Sequence, residues 1–187
     1  MWYNLCAMIR TKQQLKEYID YECARYPCGF MKYVPLLVTE QQILRRQCVL
    51  LRTAEYHYNN KRMLAYRFYL FFLSRLQNRY GMHIPINVFG KGLWINHTGL
   101  IVVNAHARVG EDCKLNAGTT IGENEGERPV LGNRVYIGPG VRIFGNVRIA
   151  DDVKIGANAV VTHDCDVQGA TLAGIPAKII KQPDERT

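Results

Sequence analysis

The sequence predicts a mainly β fold, a parallel β-helix of six-residue repeats, which follows an α-helical N-terminal segment. Two observations support this prediction. Aliphatic residues recur at every sixth position from Val103 onward, whereas the first part of the chain shows the spacing of three to four that amphipathic helices have. We therefore expect a helical region over residues 1–81, a β-helix over 82–181 and a tail over 182–187.

Three helices are predicted in the N-terminal region. Thr11 can cap a first helix that ends near Pro27, Thr39 can cap a second, and a third runs from about residue 61 to 80 before Gly81. The third helix contains an apolar run over residues 68–73, which is too short to span a bilayer. Such a run is more often core or subunit interface than a membrane-surface segment. Its predicted apolar face consists of Leu64, Phe68 and Phe71.

The repeats indicate a coil with a triangular cross-section. One short strand and one turn fill six residues, and three such units close a coil that stacks on the next. The first positions should point inward, and the fifth must be small or medium where the interior tapers. The register breaks once, between Ile121 and Leu131, where a polar insertion predicts a surface loop. The first positions are Val103, Val109, Leu115, Leu131, Ile137, Ile143, Ile149, Ile155, Val161 and Val167, and the fifth positions include Ala107, Cys113, Thr119, Val135, Ala159, Cys165, Thr171 and Ala177.

Composition narrows the function classes. The net charge of +8 lies entirely within residues 1–81, which carry 13 Lys/Arg against 5 Asp/Glu. A solvated helical surface is the commoner meaning of such an excess, and an anionic partner is the other. We expect no signal peptide, a cytoplasmic location with six reduced cysteines, and no nucleic-acid partner, since no reader motif is present. No Cys/His cluster has metal-ligand spacing, so no metal is predicted.

Several segments carry a family resemblance over about half of the chain. They are GKGLWINHTG (90–99), IVVN (101–104), IGPG (137–140), IGANAVVT (155–162) and AGIPAK (173–178). These segments resemble the hexapeptide-repeat acyltransferases, most closely the serine acetyltransferases and their polysaccharide O-acetyltransferase relatives. The resemblance implies a left-handed β-helix, acetyl-CoA as co-substrate, and a homotrimer or a dimer of trimers with active sites between subunits.

The resemblance also implies roles for individual residues. His97 matches the catalytic base, and a neutral imidazole can take the proton of an attacking alcohol. Comparison with the family pattern makes Asn96 and Arg128 candidates for the acceptor site, and His106 is a third because it occupies a turn position of its hexad. The candidate coenzyme residues are Gly138, Pro139, Ala157, Thr162, Lys178 and Lys181.

The prediction of the acceptor depends on where the sequence departs from the pattern of the serine acetyltransferases. Serine acetyltransferases orient the base with an aspartate, in a segment that matches Met82 and His83 here, and Asn96 stands where they commonly have Asp. These departures favour a sugar hydroxyl of a surface polysaccharide or its precursor as the acceptor. Serine O-acetylation is the alternative, and a non-catalytic β-helix scaffold is the alternative from another class.

Overall fold

A computed structural model describes residues 8–27 and 39–183 of the chain. Its N-terminal region contains α1 (Lys12–Cys23), α2 (Glu40–Asn59) and α3 (Met63–Arg79). Thr11 and Thr39 begin α1 and α2 with complete capping boxes, in which each threonine side chain accepts from the backbone three residues later. Both caps confirm the sequence prediction. α1 ends at Cys23, before Pro27, in a turn where the N–H groups of Arg25 and Tyr26 donate to the carbonyls of Glu22 and Cys23.

α3 buries the face opposite to the one that the sequence predicted to be buried. Leu73 and Gln77 lie inside, whereas Leu64, Phe68 and Phe71 are exposed. The periodicity could not distinguish the two faces because apolar residues occur around most of the helix. Within the described ranges, no helix is both long enough and apolar enough to cross a membrane.

The C-terminal region is a β-helix of about five coils with three sheets of mostly parallel strands, which confirms the predicted fold class. The first sheet has the order β1-β3-β6-β9-β12, the second β10-β7-β4, and the third β14-β13-β11-β8-β5-β2. The strands are β1 (Met82–His83), β2 (Trp94–Ile95), β3 (Ile101–Val103), β4 (Arg108–Val109), β5 (Lys114–Leu115), β6 (Thr120–Gly122), β7 (Val130–Leu131), β8 (Tyr136–Ile137), β9 (Arg142–Phe144), β10 (Arg148–Ile149), β11 (Lys154–Ile155), β12 (Val160–Val161), β13 (Thr171–Gly174) and β14 (Ala177–Lys181).

The hexad register describes the core closely. First-position residues from Val103 to Val161 are at most 1% exposed, and the fifth-position residues Cys113 and Cys165 are buried thiols, as predicted. Cys6 and Cys28 lie outside the described residues. The polar insertion is a tight two-residue hairpin, in which Asn124 and Glu127 exchange backbone hydrogen bonds.

The register fails only at its C-terminal end. We expected the hexads to continue through AGIPAK, but β13 and β14 form an antiparallel hairpin instead. Gly174, with φ of +98°, turns the chain back at this point. As a result, the fifth-position residues Thr171 and Ala177 are only partly buried.

The helices and the β-helix share one hydrophobic core. Buried residues of α2 such as Leu44 and Leu51 belong to the same cluster as Ile95 and Ile101 of the first coils. A polar network completes this junction. The guanidinium of Arg52, itself buried, donates to the carboxylates of Glu22 and Glu55 and to the carbonyls of Phe89 and Gly90. The ion pair of Arg52 with Glu22 connects α2 with α1, and the hydrogen bonds of Arg52 to the two carbonyls connect the helices with the β-helix. The division into domains at residue 81 stays a prediction.

Candidate active site

His97 lies in the turn between β2 and β3, at the edge that joins the third sheet to the first. The side chain is exposed, and its Nδ1 lies 3.2 Å from Oε2 of Glu40. If Nδ1 carries the proton and donates it to this carboxylate, Nε2 keeps a lone pair. The geometry thus suits the tautomer that a general base needs.

Glu40 is a candidate functional residue that the sequence prediction missed. It is the first residue of α2, and its Oε1 accepts hydrogen bonds from the backbone N–H and the hydroxyl of Thr98, at 2.8 and 3.0 Å. Burial acts to raise the pKa of Glu40, but the hydrogen bonds from Thr98 and His97 outweigh it and leave this pKa below its ordinary value. The carboxylate is therefore ionised at neutral pH.

The family resemblance implies a carboxylate near Met82 that would orient the catalytic base, and the sequence has none there. The structure supplies one from a position 57 residues before His97. The only local signal was an acidic residue in the first turn of a capped helix, and that pattern is explained by the helix dipole alone.

The side chain of Asn96 forms its hydrogen bonds with the neighbouring coils of the β-helix. Its side-chain amide donates to Oδ1 of Asn116 at 3.0 Å, and the amide of Asn116 donates to the carbonyl of Ile137 at 2.8 Å. These bonds connect three successive coils. The contacts observed for the Asn96 side chain are structural, and its role in acceptor binding stays a prediction.

His106 and Arg128 lie at the other edge of the first sheet. His106 follows β3, and Arg128 follows the hairpin after β6, so a strand separates both from the turn of His97. A three-residue strand spans about 10 Å. Nδ1 of His106 lies 3.7 Å from Oε2 of Glu123, and Arg128 is exposed. A single chain therefore does not bring these two candidates to His97.

Three of the candidate coenzyme residues do share an edge with His97. The turns at residues 97–99, 117–118, 139–140 and 157–158 stack above one another, with Gly140 N–H donating to Ala117 O and Asn158 N–H to Pro139 O, each at 2.9 Å. Gly138, Pro139 and Ala157 lie in this column. The column forms a continuous edge of small residues that begins beside the imidazole.

Gly138 also has a purely structural reason to be glycine. A Cβ at this position would lie 2.7 Å from the carbonyl oxygen of Ile155 on the next coil. Its small size is therefore required by the stacking of the coils, whatever binds along the edge.

The other candidate coenzyme residues are more dispersed. Lys178 lies close to the hairpin turn at the same edge, whereas Lys181 pairs with Thr171 at the far end of β13. Thr162 follows β12, and its hydroxyl lies 2.9 Å from Nδ1 of His163. Across residues 8–27 and 39–183, no group of three His, Cys, Asp or Glu side chains could hold a metal ion.

Comparisons with known proteins agree with this architecture. The family described as bacterial transferase hexapeptide (six repeats) matches residues 128–163. A serine acetyltransferase of Helicobacter pylori is 42% identical over 95 residues, which cover 49% of this chain and 55% of that protein. The chain thus spans about half the length of this curated relative.

Two solved structures extend the comparison to nearly the whole chain. A Neisseria gonorrhoeae serine acetyltransferase in complex with serine superposes with a TM-score of 0.64 at 26% identity, covering 91% of this chain and 70% of that one. A Brucella abortus serine acetyltransferase in complex with coenzyme A gives 0.69 at 20% identity, covering 91% and 69%. These findings confirm the predicted resemblance to the hexapeptide-repeat acyltransferases and their left-handed β-helix.

Proposed function

Because the chain has the repeats and the left-handed β-helix of the hexapeptide-repeat acyltransferases, we propose that it transfers an acetyl group from acetyl-CoA to the hydroxyl of serine. The observation that carries the proposal is the contact between His97 and Glu40 at the end of a continuous edge of small turns. Serine replaces the sugar that the sequence prediction placed first, because the relatives found are serine acetyltransferases.

In the proposed reaction, Nε2 of His97 takes the proton of the serine hydroxyl as its oxygen attacks the thioester carbonyl. The tetrahedral intermediate then collapses, the C–S bond breaks, and the imidazolium returns the proton to the departing sulfur. The products are O-acetylserine and coenzyme A. The ionised carboxylate of Glu40 holds Nδ1–H and stabilises the imidazolium that forms between these two steps.

The column of turns supports the proposed position of the coenzyme. Its residues are small, so a pantetheine arm could lie against the coil edge and bring its sulfur toward His97. Lys178 near the same edge could meet a phosphate as a point charge. In this proposal Gly138, Pro139 and Ala157 contribute shape rather than chemistry.

The positions of His106 and Arg128 support a site shared between two subunits. One chain places both residues a strand away from the base, so a neighbouring copy would have to supply them. In a homotrimer, each site would combine His97 of one copy with Arg128 of the next. A guanidinium there could bind the serine carboxylate.

The test is release of coenzyme A thiol by the purified chain with acetyl-CoA and L-serine. We expect His97→Ala to lower the rate by on the order of a hundredfold or more. The matched control is His163→Ala, which removes another exposed histidine of a coil turn. Unchanged activity in His97→Ala would refute the assignment of the base.

An acceptor panel separates the acceptor from the chemistry. Activity with surface-polysaccharide sugars but not with serine would overturn the serine assignment and leave the general-base proposal intact. Binding of acetyl-CoA without transfer to any acceptor would favour the scaffold alternative.

Mixing two inactive variants tests the shared site. If His97→Ala and Arg128→Ala chains are denatured together and reassembled, some sites will contain both native residues and activity should return in part. Absence of recovery, with each variant still assembling, would place the complete site within one chain.

A further inference from the structure

We infer that the outer face of α3 docks on the surface of a membrane that contains anionic phospholipids. The face is defined by Leu64, Phe68, Phe71 and Phe72, which are 87%, 59%, 56% and 45% exposed. Neither the hydrophobic core nor the proposed active site uses these side chains. This inference is independent of the proposed function.

The aromatic side chains form one patch rather than scattered contacts. The ring of Phe72 lies 5.0 Å from that of Phe68 and 5.4 Å from that of Phe71, measured between centroids. Isolated exposed apolar residues are ordinary, but a contiguous patch on one helix face indicates a binding surface.

Positive charge surrounds this patch. Arg67, Arg75 and Arg79 are exposed on α3, and the guanidinium of Arg75 lies 5.6 Å from the ring centroid of Phe71. Between residues 56 and 110 the sequence contains seven Lys/Arg and no Asp or Glu. The outer face therefore combines phenylalanines with arginines and has no carboxylate of its own.

A groove beside the patch extends the same chemistry onto α2. It has a volume of about 540 Å³ and is lined by Leu50 and Phe72 together with Arg46, Arg75 and Arg79. Guanidinium groups bind phosphate through paired hydrogen bonds, and the apolar wall can contact the glycerol and acyl region beneath a phosphate. A phospholipid headgroup satisfies both features of this groove.

Charge also argues against a two-fold contact between the α3 faces of two copies of this chain. A symmetric contact between two α3 faces would place the arginines of one copy against those of the other. An anionic bilayer offers the opposite sign, and a helix with phenylalanines and arginines on its outer face suits binding in the headgroup region.

The experiment is co-sedimentation of the full chain with vesicles of equal parts phosphatidylcholine and phosphatidylglycerol, against vesicles of phosphatidylcholine alone. We expect binding to the anionic vesicles to be about a hundredfold tighter or more, and to be weakened by added salt. Replacing Arg67, Arg75 and Arg79 by Gln should weaken binding about a hundredfold, at roughly fivefold for each arginine. Replacing the three phenylalanines by Gln should weaken it about a hundredfold or more.

The control variant loses the same charge elsewhere, through Lys16→Gln, Arg148→Gln and Lys154→Gln, all at exposed positions. Its binding should stay within about twofold of the native chain, because only residues near the bilayer contribute. Equal binding to both vesicle types, or an equal loss in the control, would overturn the inference.

Absence of vesicle binding would overturn it as well. If the phenylalanine variant then also abolishes a self-association of the native chain, measured by analytical ultracentrifugation, a second copy occupies the face instead. The salt and lipid comparisons use the unaltered protein, so the inference remains testable even if a variant folds poorly.

Discussion

Replacing Glu40 by Gln removes one negative charge from beside His97 and changes almost no volume. In the native chain, Oε1 accepts from Thr98 and Oε2 lies 3.2 Å from Nδ1 of His97. The variant amide can keep the acceptor toward Thr98, but its NH₂ group then faces Nδ1. The imidazole would have to accept there, which places the proton on Nε2 and removes the base.

The size of the effect follows from the distance and the exposure. Two unit charges 3.2 Å apart interact by about 1.3 kcal/mol in water and about 5 kcal/mol at an effective dielectric constant near 20. The side chains of His97 and Glu40 are 61% and 39% exposed, so solvent screening favours the lower part of this range. We expect a loss of about 1.5–3 kcal/mol in transition-state stabilisation, or roughly a tenfold to hundredfold fall in kcat.

Steady-state thiol release measures kcat and KM separately for this variant. Thr98→Val keeps the carboxylate and should reduce kcat less than Glu40→Gln does. The matched control is Glu123→Gln, which removes a carboxylate beside a different histidine, His106. A folded Glu40→Gln protein with kcat within about twofold of native would refute the reasoning. A change in KM alone would mean that Glu40 binds substrate rather than positioning the base.

Three further predictions concern stability and are checked by chemical denaturation. Arg52→Met leaves two buried carboxylates without their cation and should cost about 3–5 kcal/mol. Tyr26→Phe removes a buried hydroxyl that donates to the carbonyl of Ile95 and accepts from its N–H, so a loss of about 1–3 kcal/mol is expected. Gly138→Ala forces a contact of 2.7 Å with the carbonyl of Ile155 and should cost about 1–3 kcal/mol, whereas an unchanged unfolding free energy would contradict the stacking argument.

The coils of the β-helix could be predicted because each repeat obeys a local rule. A residue such as Ile143 must be aliphatic because it points into the same interior as Ile137 and Ile149, and all three are fully buried. The rule recurs every six residues, so the sequence shows it many times. The six-residue rule does not apply to β13 and β14, where Gly174 reverses the chain. This reversal occurs once, so no repeated pattern in the sequence indicates it.

Of the two residues in contact at the candidate site, only one could be predicted, because only one lies in a recognisable sequence pattern. His97 could be identified because its flanking segments resemble those of a family. Glu40 could not, because its importance depends on where the N-terminus of α2 lies relative to the second coil. That is a single long-range contact, and a carboxylate in a first helical turn has a sufficient local explanation.

The buried network at Arg52 connects stability to the proposed chemistry. Arg52 lies 12 positions after Glu40 on α2, about 18 Å along the helix axis, and donates to the carbonyls of Phe89 and Gly90 in the first coil. α2 therefore carries both the buried ion pairs that stabilise the fold and the carboxylate beside His97, so the helical region supplies a residue of the proposed site.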